Sequence, residues 1–337
     1  METRRTLLVD AFTDEPLAGN VAGVLPDAAR LSDDLMGRIA AELGASETAF
    51  LTEAGDGADE RVRYFTPTDE VDLCGHATIA SYAALYAEGA IDSGERTLRT
   101  NVGDLRITVG DDGTVWMRQN PPTVDVIDDT EAAGAAGDDT DGDADDQGDR
   151  VDADRLGDAL GIDPAALRDV GADLPVAVAS TGLPWLVVPV NFLERLGEAD
   201  PDAAAVREIS AALDVAGIYA FTFDTLDAES TLHGRAFAPA YGVPEDPVTG
   251  TASGAVGGYL RAVDAFEGEL PDELRFEQGH FVDRPGYVRV RVGNDAGGGD
   301  GAGDGDDTVA IGGRGVVALD GELRVPDDDG DDEIIEA

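Results

Sequence analysis

An α+β protein built from two similar halves is the fold class the sequence predicts, and three observations predict it. Arg63-x-Phe65-x-Pro67 returns as Arg235-x-Phe237-x-Pro239, 172 positions later in a chain of 337 residues. Each copy leads into a helix of small residues that starts at a glycine, Gly75 in the first half and Gly250 in the second. Upstream, Glu47 and Ile218 occupy matching places 171 positions apart. Offsets that agree at separate features argue for duplication better than any one of them.

The first half reads as follows. Leu7 to Phe12 predicts a strand, residues 14–20 a turn rich in Pro and Gly, and Val21 to Leu25 the next strand. Ser32 caps a predicted helix whose apolar residues Leu35, Met36, Ile39, Ala40 and Leu43 recur at helical spacing, with Gly44 as its stop. Strands are expected over 45–51 and 61–65, and the small-residue helix runs to Tyr86. Short strands follow around Leu98, over 105–109 and over 115–117. The second half repeats this order: strands at 176–179 and 185–190, a helix from Asp202 to Leu213, the strand 218–221, the Arg-x-Phe-x-Pro element, and a helix ending near Leu260.

The domain organisation expected from this order is an N-terminal repeat over 1–127, to which a C-terminal strand near 309–325 could be added. An acidic linker or insertion at 128–155, a C-terminal repeat over 156–325 and an acidic tail at 326–337 complete it. Asp139, Asp141 and Asp143 imitate the start of a calcium loop, but Ala144 stands where glycine is required and Arg150 where the bidentate Glu belongs, so calcium is rejected there. The Gly/Asp run at 293–307 reads, like the tail, as a solvated loop.

Composition narrows the function. Apolar residues make up 42% of the chain, which suits a globular protein. The formal net charge is −48, and all 23 basic residues are arginine. Such charge argues against nucleic acid or an anionic membrane as a partner. It points to a cytoplasm at very high salt, where fields are screened within ~3 Å at 1 M. Without lysine there is no Schiff-base chemistry and no phosphate-loop lysine. The one cysteine, Cys74, permits no intrachain disulfide, in keeping with a reducing cytoplasm. No signal peptide or membrane-length apolar run is read in the sequence.

The glycine helix starts at Gly75 and Gly250 offer unpaired backbone N–H groups and the positive end of a helix dipole, a seat for a carboxylate. They also permit close packing of two buried helices, and spacing alone does not decide between these uses. Three acid–base groups break the symmetry: Glu47 is matched by the apolar Ile218, His76 by Thr251, and Asp246 belongs to the second half. Taken singly, each reads first as structural: Glu47 as a solvated surface acid, His76 as a satisfied helix-start residue and Asp246 as a turn or cap.

Several segments resemble, in order, the phenazine-biosynthesis PhzF-like family. They are Asp10-Ala11-Phe12, Gly19-Asn20, 46–50 (Ser-Glu-Thr-Ala-Phe), Phe65-Thr66-Pro67, 73–78 (Leu-Cys-Gly-His-Ala-Thr), 245–252 (Glu-Asp-Pro-Val-Thr-Gly-Thr-Ala), Gln278-Gly279 and Arg284-Pro285-Gly286. The resemblance implies the diaminopimelate-epimerase-like fold: two similar domains, each a β-sheet or barrel wrapped around a central helix, with the active site between them. It also implies an isomerase without metal or organic cofactor, with Glu47 as acid/base and His76 and Asp246 holding the substrate and assisting proton transfer. Asn20, Ser46, Gly75, Gly250 and Thr251 match the substrate-binding positions. The implied partner is a small anionic substrate, and homodimers are common in the family. The chemistry needs a carboxyl group enclosed enough to take a proton and return it.

The sequence departs from the family pattern at Val21, where Pro usually follows Gly-Asn, at Asp283, which replaces a Gly, and at Thr251, which replaces a Ser. None of these touches Glu47. Two-base racemases and epimerases of the same fold place a cysteine at each helix start; Cys74 fills the first position, but Thr249 fills the second. That disfavours epimerisation and leaves a Cys74-based dehydratase and a catalytically silent binding protein as rival readings. Cys74 itself is read as a small buried residue.

Overall fold

The N-terminal strand is sandwiched between the second strand and the last strand of the chain, which closes the first half with residues from the far end of the sequence. The computed structural model describes residues 1–55, 57–127, 151–168, 170, 174–293 and 308–326. The calcium-loop likeness at 139–150, the Gly/Asp run at 294–307 and the tail from 327 lie outside the described residues.

In chain order the elements are β1 (Glu2–Ala11), β2 (Asn20–Leu25), α1 (Asp33–Leu43), β3 (Glu47–Glu53), β4 (Glu60–Phe65), β5 (Glu70–Val71), α2 (Gly75–Ala87), β6 (Gly94–Thr100), β7 (Gly103–Val109) and β8 (Val115–Gln119). Next come β9 (Thr123–Val126), α3 (Ala153–Leu160), α4 (Ala165–Arg168), β10 (Ala177–Ser180), β11 (Pro184–Pro189), α5 (Leu193–Gly197), α6 (Ala203–Leu213), β12 (Ile218–Thr222), β13 (Leu232–Ala238) and β14 (Val243–Asp246). The chain finishes with α7 (Gly250–Ala262), β15 (Leu274–Gln278), β16 (Gly286–Val292), β17 (Val309–Gly313) and β18 (Gly315–Val325). They fall into two units, Met1–Arg118 with Gly312–Ala337, and Gln119–Ile311.

In the first unit β2 runs parallel to β3, with Ala22 opposite Glu47, and β3 is antiparallel to β4, with Thr48 opposite Phe65. β4 pairs antiparallel with β5 and parallel with β6, and β6 is antiparallel to β7. α1 makes the crossover between the parallel strands β2 and β3. Ser32 accepts from Leu35 N at its start, and Gly44 ends it in the left-handed region. Its Leu35, Met36, Ile39 and Ala40 pack with Leu25, Phe50 and Phe65, each of the larger side chains contributing ~2 kcal/mol by leaving water. α2 is apolar all round and buried from Ala77 to Ala84, the pattern of a helix with no solvent face. It packs on β1, β2, β3 and β18.

The second unit repeats the order strand for strand. β11 runs parallel to β12, β12 antiparallel to β13, β13 antiparallel to β14 and parallel to β15, and β15 antiparallel to β16. α6 fills the place of α1, capped by Asp202, which accepts from Ala204 N and Ala205 N. α7, buried from Ala252 to Leu260, packs on β9, β10, β11 and β16. This mixed α+β architecture, with each half arranged about its own buried helix, agrees with the fold class expected from the sequence.

The recurring Arg-x-Phe-x-Pro element has the same physical role in both units. Arg63 stacks over Phe65 at 5.1 Å and grips Glu70 on β5 with two hydrogen bonds of 2.7 and 2.6 Å. Arg235 stacks over Phe237 at 5.0 Å and grips Glu245 on β14 at 2.9 and 2.7 Å. The planar guanidinium can meet a carboxylate with two donors and a ring with its face at once, which lysine cannot. Each pair ties the strand that leads to a helix start to the short strand that follows it.

Helices α3, α4 and α5 were not expected from the sequence. α3 lies at the edge of an Asp/Gly-rich run, where its signal reduces to Asp152 as cap, accepting from Arg155 N, and to Leu156, Ala159 and Leu160 on one face. Those residues join the core formed by Leu186, Val188, Val206, Ile209 and Phe237. Tertiary burial therefore fixes a helix that local composition hides.

Candidate active site

Each unit brings its own group of polar side chains to the start of its buried helix. In the first, Ser46 precedes β3 and Glu47 is that strand's first residue. Cys74 is the N-cap residue of α2, in extended conformation with no side-chain cap bond, and Gly75 and His76 are the first two helical residues. The helix start is anchored from below: Thr78 Oγ1 donates to Cys74 O at 2.7 Å, and the buried Tyr64 hydroxyl meets Thr78 Oγ1 at 2.6 Å. Burial pushes the Tyr64 phenol far above its ordinary range, so it stays neutral.

His76 is the hub of this group. Its Nε2 lies 3.3 Å from Glu47 Oε2 and 3.3 Å from Ser46 Oγ, and its Nδ1 lies 3.4 Å from Cys74 Sγ. The His76 and Glu47 side chains are 12% and 23% exposed, a half-enclosed setting. Glu47 Oε2 is itself buried and, although at ion-pair distance from His76, makes no hydrogen bond of acceptable geometry among the described residues. A buried carboxylate oxygen without a hydrogen-bond donor is costly, and such groups concentrate where chemistry uses them. Asn20, at the start of β2, is 2% exposed and stands two residues before Ala22, the partner of Glu47. Gly19 before it holds φ +59, and a Cβ there would collide with the Ala11 carbonyl.

In the second unit Asp246 ends β14, and Thr249 is the N-cap residue of α7, again without a side-chain cap bond. Thr249 Oγ1 donates instead to Asp246 Oδ2 at 2.5 Å. Gln278, at the end of β15 and 1% exposed, binds both. Its Nε2 donates to Asp246 O at 2.7 Å and reaches Thr249 Oγ1 at 3.2 Å, while its Oε1 accepts from Thr249 N at 3.2 Å. Gly279 follows at φ +85, where a Cβ would collide with the Arg284 carbonyl and lie 2.7 Å from Pro247 O. Gly250 and Thr251 are the first two residues of α7, and Thr251 is partly exposed. Ser253 Oγ donates to Thr249 O at 2.8 Å, the counterpart of Thr78 on Cys74.

Of the residues singled out from the sequence, the structure thus brings Ser46, Glu47, Gly75 and His76 together, with Asn20 on the neighbouring strand. It groups Asp246 with Gly250 and Thr251 at the other helix start. Thr249 and Gln278 are the residues whose part was missed. Sequence reading treated Thr249 only as a missing thiol and Gln278 only as part of a motif. The signal available for Gln278 was a polar amide closing a short strand, followed at once by glycine.

Two units with the same strand order about a buried helix, each with polar groups at that helix's start, define a duplicated α+β fold. The crystal structure of the Bacillus anthracis phenazine biosynthesis protein of the PhzF family shares it, with a TM-score of 0.79, 30% identity and coverage of 96% of this chain and 100% of that one. A hydroxyproline epimerase from Agrobacterium vitis, at 15% identity, TM-score 0.55 and coverage of 96% and 91%, shares the fold alone. The chain belongs to the phenazine biosynthesis-like family, PhzC-PhzF, whose pattern matches residues 9–321. Over 303 residues it is 35% identical to the Bacillus subtilis protein named uncharacterized isomerase YfhB, covering 88% of this chain and 93% of that one. It is 28% identical over 323 residues to the trans-2,3-dihydro-3-hydroxyanthranilate isomerase of Pseudomonas aeruginosa, covering 94% and 98%. The chain is an enzyme of the isomerase class. Among the described residues no helix is long and apolar enough to cross a membrane.

Proposed function

We propose that this enzyme isomerises a small amino-carboxylate or cyclic carboxylate by moving one proton between two carbons, with Glu47 as the group that takes and returns it. The observation that supports this reading most is the Glu47 carboxylate oxygen that is buried, lacks a hydrogen-bond donor and lies 3.3 Å from His76. In the proposed step the carboxylate accepts the substrate's C–H proton, the electron pair left behind shifts through the adjacent π-system, and the same carboxyl returns the proton at the far carbon. No electrons are gained or lost overall. His76 and Ser46 hold polar atoms of the substrate beside the reacting carbon. Backbone N–H groups at the two helix starts, Gly75 and Gly250, take its carboxylate, and Asp246 its amino group. The isomerase activity in the name of the Pseudomonas relative belongs to the same chemical class.

A second reading has a specific observation in its favour: Cys74 Sγ lies 3.4 Å from His76 Nδ1, the arrangement of a thiol with a base at hand. It makes Cys74 the proton acceptor in a dehydration. Thr249 at the matching position of the second unit argues against two-base epimerisation. The test is a panel of amino-carboxylates and cyclic dienyl carboxylates incubated with the protein in deuterated, high-salt buffer and followed by NMR. Exchange or migration of a substrate C–H that persists in Cys74→Ser supports the isomerase. Water loss abolished by Cys74→Ser supports the dehydratase, and binding without exchange identifies a silent binding protein.

A further inference from the structure

The group in the first unit also has the makings of a metal site. Glu47, Cys74 and His76 each present one ligand atom, and these atoms lie within 4.8 Å of one another. His76 Nε2 is 3.3 Å from Glu47 Oε2 and 3.9 Å from Cys74 Sγ. A tetrahedral zinc ion bound at ~2.3 Å to sulfur and ~2.0–2.1 Å to nitrogen and oxygen spaces those ligand atoms by ~3.3–3.6 Å. The 3.3 Å edge therefore matches a tetrahedral site and the 3.9 Å edge is a few tenths of an ångström longer, so side-chain rotation brings the three ligands in and leaves the fourth position open.

The ligands are also held by regular structure. Glu47 opens β3, and Cys74 and His76 flank the first residue of α2. The buried Glu47 oxygen without a hydrogen-bond donor gains a partner when a cation arrives. The positive end of α2 opposes a cation, by a factor of ~5 in affinity, against three converging donors of thiolate, imidazole and carboxylate type. The many other carboxylates of the chain supply oxygen alone and suit hard ions, not thiophilic ones.

We infer that Glu47, Cys74 and His76 bind one thiophilic divalent cation, zinc or its analogues cobalt and cadmium, with a fourth position left to water or a carboxylate. The cation is an inhibitor, because it occupies the oxygen proposed to move the proton. On binding, the Cys74 thiol releases its proton to solvent as the sulfur–metal bond forms, and Glu47 and His76 each donate a lone pair. No oxidation state changes. The inference rests on three side-chain positions within one unit and not on the identity of the substrate.

The test is titration of reduced, chelator-stripped protein with cobalt(II) at molar potassium chloride, where weak association with surface carboxylates is screened. The expected result is a sulfur-to-cobalt charge-transfer band in the near ultraviolet with tetrahedral visible bands, saturating at one equivalent and displaced by zinc. Cys74→Ser loses the charge-transfer band, while Glu47→Gln keeps it but binds at least ~10-fold more weakly. Absence of the band, or its survival in Cys74→Ser, overturns the site. X-ray absorption on the zinc-loaded native protein reads the sulfur ligand without any variant; a first shell of oxygen and nitrogen alone overturns it as well.

Discussion

Glu47 Oε2 and His76 Nε2 lie 3.3 Å apart, joining the first residue of a sheet strand to the second residue of the helix buried in that sheet. Neither residue is set by a flexible loop. β3 is held by its pairing with β2 and β4, and α2 by burial on four strands, so the pair is positioned by the core of its unit. That is the arrangement proton transfer requires, since small displacements of the base from the reacting carbon slow it steeply.

Gln278 ties Asp246 to Thr249 at the start of α7, and removing its amide exposes that role. Gln278→Leu removes the side-chain acceptor of the buried Thr249 N–H and the donor to Asp246 O, a cost of about 1–3 kcal/mol in stability. Chemical denaturation checks this. Because Asp246 is proposed to bind the substrate's amino group, turnover of Gln278→Leu is also expected to fall mainly through a raised KM, with Gln278→Glu closer to wild type than the leucine variant. Wild-type stability and KM in Gln278→Leu would remove the positioning role.

The two Arg-x-Phe-x-Pro arginines differ in burial, and their substitutions should differ accordingly. Arg235 is 6% exposed and donates also to the carbonyls of Leu196 and Ala199, so Arg235→Ala strands a partly buried Glu245 and two carbonyls and is expected to cost about 3 kcal/mol. Arg63 is 20% exposed and its second partner, Asp33, is 78% exposed, so Arg63→Ala is expected to cost about 1 kcal/mol. Equal losses in urea melts would contradict the assignment.

Acid should weaken the fold in two stages. Burial pushes the His280 imidazole below its ordinary value of 6.5. Burial raises Glu277, but hydrogen bonds from His233 and from the N–H groups of Leu226 and Asp227 outweigh it and hold the carboxyl below its ordinary value of 4.5. Both groups bind protons more readily unfolded than folded, so their contribution is complete above the ordinary value and is lost as pH falls through the folded one. Stability is therefore expected to decline first below about pH 6.5 and again below about 4.5. His280→Phe should remove the first step, and a first step that survives in that variant would refute the assignment.

Sequence and structure agree where a repeated pattern has a repeated physical cause. The Arg-x-Phe-x-Pro copies, the glycine helix starts and the cap Ser32 could be read in advance because each rests on local chemistry. Glu47 and His76 are 29 positions apart and meet only through the packing of α2 against β3, so the residues could be named but not their contact. Gln278 was illegible as a positioning residue, because its partners lie 32 and 29 residues away, at the end of β14 and the start of α7. α3 was hidden because its burial face is three residues within an acidic run.

The net charge of −48 leads to a further expectation, that the fold depends on salt. Self-repulsion among unscreened carboxylates grows as the Debye length rises from ~3 Å at 1 M to ~30 Å at 0.01 M. The melting temperature is expected to fall steadily on dialysis from molar to millimolar salt, ending in unfolding. A melting temperature that does not change would mean that the acidic surface has no part in stability.

Most direct for the central claim is the comparison of native protein with Glu47→Gln in deuterated high-salt buffer, using whichever carboxylate the native protein exchanges. The amide keeps the shape of the side chain but cannot shuttle a proton. Circular dichroism is expected to stay the same while exchange and isomerisation fall by at least ~100-fold, the usual scale for loss of a general acid–base group. Exchange in Glu47→Gln within a few-fold of the native rate would contradict the assignment of Glu47 as the proton carrier.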